Sequence, residues 1–278
     1  MLRRFIPVAL FTLALLALPS AARGWGQGAE RLIANKAVET LPHEMEPFFE
    51  ANRRFLEQHV TDPGQAKAND PAALRNGFIQ LDHYGLFPFT ALPRDYKAAL
   101  AKYGRRALDK YGLLPWQIGL CSQKLTDALR THDWNSARTN AAILAHYVAA
   151  AHDPFNTTVN NDGQLSGQPG VNQRYSSALV DRYQLLFFVK PNEAALIQDP
   201  TAYAFDITLR AHAWLENVLL ADQHAYAGLD SYSDSYYDRF YAQAGAVLIR
   251  QLSDASADVG SYWMTAWINA GRPQLPSQ

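Results

Sequence analysis

The chain has 278 residues, with 25 basic and 26 acidic side chains and a formal net charge of −1. That balance leaves no electrostatic footprint for non-specific binding to nucleic acid or to an anionic membrane surface. A single cysteine, Cys121, excludes an internal disulfide, so the fold must be held by apolar packing, for which 48% of the residues are suited.

Met1 to Gly24 carries Arg3 and Arg4, an apolar run from Phe5 to Leu18, and then Pro19, Ser20, Ala21 and Ala22. This is the pattern of a secretory signal peptide, and the apolar run falls short of the ~20 residues of a membrane span. The mature chain is therefore expected to be secreted or periplasmic, with no transmembrane span. Cleavage after Ala22 and cleavage after Gly24 both satisfy the small-x-small rule. The remainder, residues 25–278, has no Gly/Ser- or Pro-rich linker, no fixed-period repeat and no charge block, and is expected to form a single domain.

The mature chain opens Trp25-Gly-Gln-Gly-Ala-Glu-Arg. The helix that follows buries Ile33, Ala37, Val38 and Leu41, and Pro42 starts another that runs through Phe48, Phe49 and Phe55 to about Val60. These aromatics are assigned to the core. In the turn Thr61-Asp62-Pro63-Gly64, an aspartate before proline caps the local backbone. The segment Asn76-Gly-Phe-Ile-Gln-Leu-Asp-His-Tyr-Gly85 places His83 as a surface or packing histidine. Amphipathic helices are expected near Arg94 to Tyr111 and Pro115 to Arg130, with Cys121 packed as a small buried hydrophobe.

From Asn135 to His152 the pattern is helical again. Trp134, Ala137, Ala141, Leu144 and Val148 form one stripe, and Ala142, His146, Ala149 and Ala150 form a small-residue face that lets other backbones approach. Pro154 ends this helix. Beyond Ser176, amphipathic stretches predict helices over 178–189, 202–222 and 238–253, and a terminal helix with Val259, Trp263 and Trp267 four apart. His212 and His224 have no partner at metal-ligand spacing. The tyrosines from Tyr226 to Tyr241 are assigned to loop and core packing, with an aromatic ligand groove as the functional alternative. Phosphate-cradling loops, nucleophile elbows, H-E-x-x-H helices and cysteine pairs are absent from the sequence. The fold class is all-α, a single-domain helical bundle.

One run is specific. His146, His152, Pro154 and the loop Asp162-Gly163-Gln164-Leu165 resemble the metal-binding segment of the zinc-dependent phospholipase C and S1-P1 nuclease superfamily, H-x-x-x-D-x-H-x-P-x-H followed by a D-G-Q-L-type loop. The resemblance extends over most of the chain from Trp25 to about Asp222. It matches the Trp25-Gly opening to the family's W-G-x-x-x-H-R start and Asn76–Gly85 to H-Y-x-D-x-D-x-Y-G. It implies an all-α fold and, ordinarily, a three-zinc site that hydrolyses phosphodiesters, the metal activating water and offsetting charge on the phosphate.

The same resemblance places different residues at most ligand positions. Glu30, Gly64, Gly77, Gln80, Ala150, Asn156, Asn172 and Ser176 stand where the family has acids and histidines, and only Trp25 and His146 keep their identity. The losses are mutually consistent, because carboxylates kept without their dications would repel one another. The expectation is a catalytically inactive, exported relative that binds or regulates through a metal-depleted polar cavity lined by Trp25, Glu30, Gln80, His146, Asn156, Asn172 and Ser176. Glu30 and His146 should face each other in it. No cofactor is expected. The partner is a small polar or phosphate-bearing ligand, or a protein. The alternative is a zinc phosphodiesterase of phospholipase C or nuclease type with a reduced site, drawing on Trp25, Glu30, His146, His152 and Asp153, with His83 or Asp162 in reserve.

Overall fold

The computed structural model describes residues 24–67 and 70–276; the signal-peptide assignment and the cut after Ala22 fall outside them. The described residues are helical and contain no strand. In order they form α1 (Gln27–Val38), α2 (Glu46–Ala51), α3 (Arg53–His59), α4 (Asp62–Lys67), α5 (Pro71–Leu74), α6 (Tyr96–Tyr111), α7 (Leu114–Arg130) and α8 (Trp134–Ala151). After a 3-10 turn at Pro154–Thr157 come α9 (Val171–Gln173), a π-helical turn at Arg174–Ala178, α10 (Leu179–Tyr183), α11 (Pro200–His212), α12 (Leu215–Tyr226) and α13 (Asp234–Asn269).

Helix α8 is the axis of the bundle. Asp133 caps its start by accepting a hydrogen bond from the Ser136 amide (3.0 Å), and Asp153 starts the next turn by accepting one from the Phe155 amide (2.9 Å). Every side chain from Leu144 to Ala151 is buried. A helix apolar on all sides must be enclosed, and α1, α3, α7, α11 and α13 all pack on it. Two indole N–H groups reach its backbone, Trp25 to the Ala149 carbonyl (2.8 Å) and Trp263 to the Ala141 carbonyl (3.0 Å). These contacts tie the chain opening and the terminal helix to the same rod.

Several boundaries differ from expectation. The helix expected from Pro42 to Val60 is two helices broken at Asn52, whose side-chain amide donates to the Phe48 carbonyl (2.8 Å). Phe48 and Phe49 are core as expected, whereas Phe55 is only half-buried and packs between His59 and Arg138. Asp62 begins α4 and pairs with His59 (2.7 Å) instead of capping a turn. The stretch 202–222 is two helices, parted at Ala213 and Trp214; no glycine or proline marks this break.

The two helices expected over 238–253 and beyond Val259 are one helix of 36 residues. Serines along this stretch turn their hydroxyls back onto the preceding turn. Ser253 donates to the Ile249 carbonyl, Ser256 to Leu252 and Ser261 to Ala257, at 2.7–2.8 Å. Gly260 lies in the same helix because the end of α1 passes against it: a Cβ there would sit 1.9 Å from Thr40 Oγ1. The helix expected over 178–189 ends by Leu186, and the chain then crosses α13 as an extended strap. Its amides at Lys190, Ala195 and Ile197 donate to Ser253, Ser261 and Thr265 hydroxyls, and Ala194 donates to the Thr40 carbonyl. Hydroxyls on one face of α13 thus satisfy a backbone that has no sheet to join.

Candidate functional site

The positions that the sequence resemblance singles out come together around the C-terminal half of α8. His146 Nδ1 lies 3.1 Å from Glu30 Oε1 of α1, an ion-pair contact with both side chains enclosed. Gly64 of α4 faces the same ring, where a Cβ would lie 3.4 Å from His146 Cε1. On the far side of Ala150, the Asn156 amide nitrogen donates to the Ala150 carbonyl (2.8 Å), and the Asn156 carbonyl accepts from the Ile79 amide (2.8 Å). The chain opening closes this side. A Cβ on Gly24 would stand 2.9 Å from Asn156 Nδ2, and the Gly26 amide donates to the Ser176 carbonyl (2.9 Å). Gly24 has φ of +101°, a conformation that favours glycine.

Trp25, Glu30, His146, Asn156, Asn172 and Ser176 are between 0% and 7% exposed, so this polar set is enclosed by packing. Gln80 stands at its edge, half-buried, with its backbone amide on the Tyr111 carbonyl (2.7 Å). Asn172 is turned to the preceding loop, its amide donating to the Asn161 carbonyl (3.0 Å). Asn156 Oδ1 has no hydrogen-bond partner among the described residues.

Asp153 is fully buried next to the Ser176 hydroxyl. Burial pushes its carboxyl up to about 6, against the Ser176 hydroxyl and the Phe155 amide, which favour the ionised form.

The residues present do not fit a zinc cluster. Among the described residues no group of three or more His, Cys, Asp or Glu side chains is placed to hold a metal ion. Of the reduced set Trp25, Glu30, His146, His152 and Asp153, only Glu30 and His146 meet. His152 turns the other way, its Nε2 3.0 Å from Asp258 Oδ2, and Asp258 also accepts from Tyr203 (2.7 Å) and Arg210 (3.1 Å). Burial alone would raise the Asp258 carboxyl, but these donors outweigh it and hold it below its ordinary value. His83 stacks on Tyr111 with ring centroids 3.7 Å apart, and Asp162 accepts from the Gly170 amide (3.0 Å).

The loop Asp162-Gly163-Gln164-Leu165 has a structural reason of its own. Gly163, at φ +75°, has no room for a Cβ, which would lie 2.4 Å from the Gln168 carbonyl oxygen. Gln164 accepts from the Asp162 amide (3.0 Å) and donates to the Val159 carbonyl (2.7 Å). Asp82 Oδ2 takes the Val159 amide (2.7 Å). These residues fold the loop, whatever is bound beside it.

The tyrosine cluster grips the protein's own cation. Arg174 lies 4.0 Å from the Tyr232 ring centroid and forms a buried ion pair with Asp222 (2.9 Å), which also accepts from Tyr236. Tyr241 stacks on Tyr183. Arg174 and Asp222 are 48 residues apart in sequence, and no local spacing signals their pairing.

No family model matches the sequence and no curated protein matches it. Among solved structures the chain is similar to the Clostridium perfringens alpha-toxin isolated from avian strain SWCP, with a TM-score of 0.57 and 14% identity. The likeness covers 87% of this chain and 65% of the toxin chain. It is a likeness of fold, in keeping with the all-α architecture expected from the sequence, and the chain spans about two thirds of the toxin's length.

Proposed function

We propose that this chain is an exported, catalytically inactive relative of the zinc-dependent phospholipase C and P1 nuclease enzymes, and that it acts by binding or regulation. One observation carries the reading: the positions that the resemblance singles out converge, yet among the described residues no three His, Cys, Asp or Glu side chains are placed to hold a metal. Glu30 stands 3.1 Å from His146 where the resemblance puts ligands of neighbouring zincs, and Gly64, Ala150 and Ser176 stand at the positions of its acids. A structural or catalytic zinc needs about three or four converging protein ligands, and the two side chains that meet here are fewer. Export is supported by the Arg3-Arg4 and apolar pattern ahead of Trp25. The described helices include none long and apolar enough to cross a membrane.

The test is hydrolysis by the full mature chain, supplied with zinc, of bis(4-nitrophenyl) phosphate, phosphatidylcholine vesicles and single-stranded DNA. The expected result is no turnover above the protein-free blank. Zinc-dependent hydrolysis that His146→Ala abolishes would overturn the proposal in favour of a working enzyme with a reduced site.

A further inference from the structure

A second polar site lies away from the enclosed one, where the α11–α12 junction meets α13. A cleft of 350 Å³ opens there, and its lining includes His152, Arg210, Trp214, Arg250, Gln251 and Asp254. This size suits a small molecule. Its polar lining is rich in donors. Arg210 and Arg250 are 52% and 67% exposed, and each spends only part of its guanidinium on a carboxylate: Arg210 on Asp258 (3.1 Å), Arg250 loosely on Asp254 (3.6 Å).

The deepest polar group is Gln251, 3% exposed. Its Oε1 accepts from the Tyr175 hydroxyl (2.6 Å), and its Nε2 has no partner among the described residues. A buried amide that keeps an unpaired N–H calls for an acceptor supplied from outside the chain. Asp258, next to the cleft, takes His152, Tyr203 and Arg210. Since Asp258 is an acceptor, the hydrogen between it and His152 sits on Nε2, which fixes the ring at the cleft edge. Trp214 forms the apolar wall, with the Arg250 guanidinium 5.9 Å from its ring centroid.

We propose that this cleft binds the oxyanion group of a small molecule, a carboxylate or a phosphate, with Arg210 and Arg250 forking onto its oxygens and Gln251 donating from the floor. Asp254, loosely paired with Arg250 (3.6 Å), adds a negative charge to the lining, and it limits the site to ligands whose negative charge is compact and seated at the arginines. The site stands apart from the Glu30–His146 pair and holds whether or not the chain proves to be an enzyme.

The full mature chain, titrated separately with inorganic phosphate and with acetate, tests this through the Trp214 indole and Gln251 side-chain NMR signals. Saturable shifts of both groups are expected with at least one anion. Phosphate alone identifies a phosphate-bearing ligand, and acetate alone a carboxylate. Arg250→Gln, at an exposed and weakly paired position, should weaken binding about tenfold or more. Gln251→Met should abolish the shift at Trp214 while leaving the fold intact. No saturable shift with either anion would overturn the proposal, as would saturation that Arg250→Gln leaves unchanged. A Gln251→Met chain that is stabilised, in a protein that binds neither anion, would mean that Gln251 serves only a buried water.

Discussion

Asp153→Asn gives the sharpest energetic test of the enclosed polar site. The Asp153 carboxyl is fully enclosed, and burial moves it from an ordinary value of 3.8 up to about 6. Its folded value lies above its unfolded one. The group therefore favours the folded state fully below the unfolded value, and that contribution is lost as pH rises through about 6. Once ionised, the carboxylate costs the folded chain roughly 3 kcal/mol relative to its protonated form. Asparagine cannot ionise, keeps the oxygen that accepts the Phe155 amide (2.9 Å), and can donate to the adjacent Ser176 hydroxyl. Urea unfolding at pH 7.5 should show the variant more stable by about 2–3 kcal/mol, and at pH 4 the two chains should be nearly equal. A variant less stable than the parent at pH 7.5 would refute the reasoning, because it would mean that the charged carboxylate has a cation to pair with.

Two further substitutions probe the pairs that the fold has built. Glu30→Ala removes the enclosed carboxylate that faces His146 and should destabilise the chain by about 3 kcal/mol, with part of the loss recovered in the double variant Glu30→Ala, His146→Leu; a double-mutant cycle by urea unfolding measures the coupling, and additive effects would mean that the 3.1 Å contact is idle. Asp258 has the opposite sign to Asp153: its folded value is depressed, so its contribution is present above the unfolded value near 3.8 and lost as pH falls through the folded one. Asp258→Asn should accordingly destabilise at pH 7.5 and lose its effect in acid, as thermal melts across that range would show.

What was legible in the sequence follows the range of the interactions. Helix α8 was found to within a residue at each end because its signals are local: an apolar stripe, a capping aspartate at its start and Pro154 just beyond its end. The Glu30–His146 contact, 116 residues apart, was legible only because the family pattern places both positions at one site. Where neither aid existed, the reading failed. The helix expected to stop at Ser253 runs on to Asn269, and the hydrogen bonds that Ser253, Ser256 and Ser261 make to the preceding turn are not visible in sequence. The strap after Leu186 is held by hydroxyls 63 to 68 residues further on, and its apolar run therefore passed for helix. His152 was grouped with His146 because the resemblance carries both in one frame, although six positions along a helix put them on different faces. As the residue that caps the helix, it turns to Asp258, 106 residues away, and so belongs to a different cleft.

The central claim concerns metal. Purified mature chain, incubated with excess zinc and then dialysed, is measured for zinc by elemental analysis against protein concentration. Two side chains facing each other at 3.1 Å, with glycine, alanine and serine at the acid positions, predict well under one zinc retained per chain. Two or three zinc ions per chain would contradict the account.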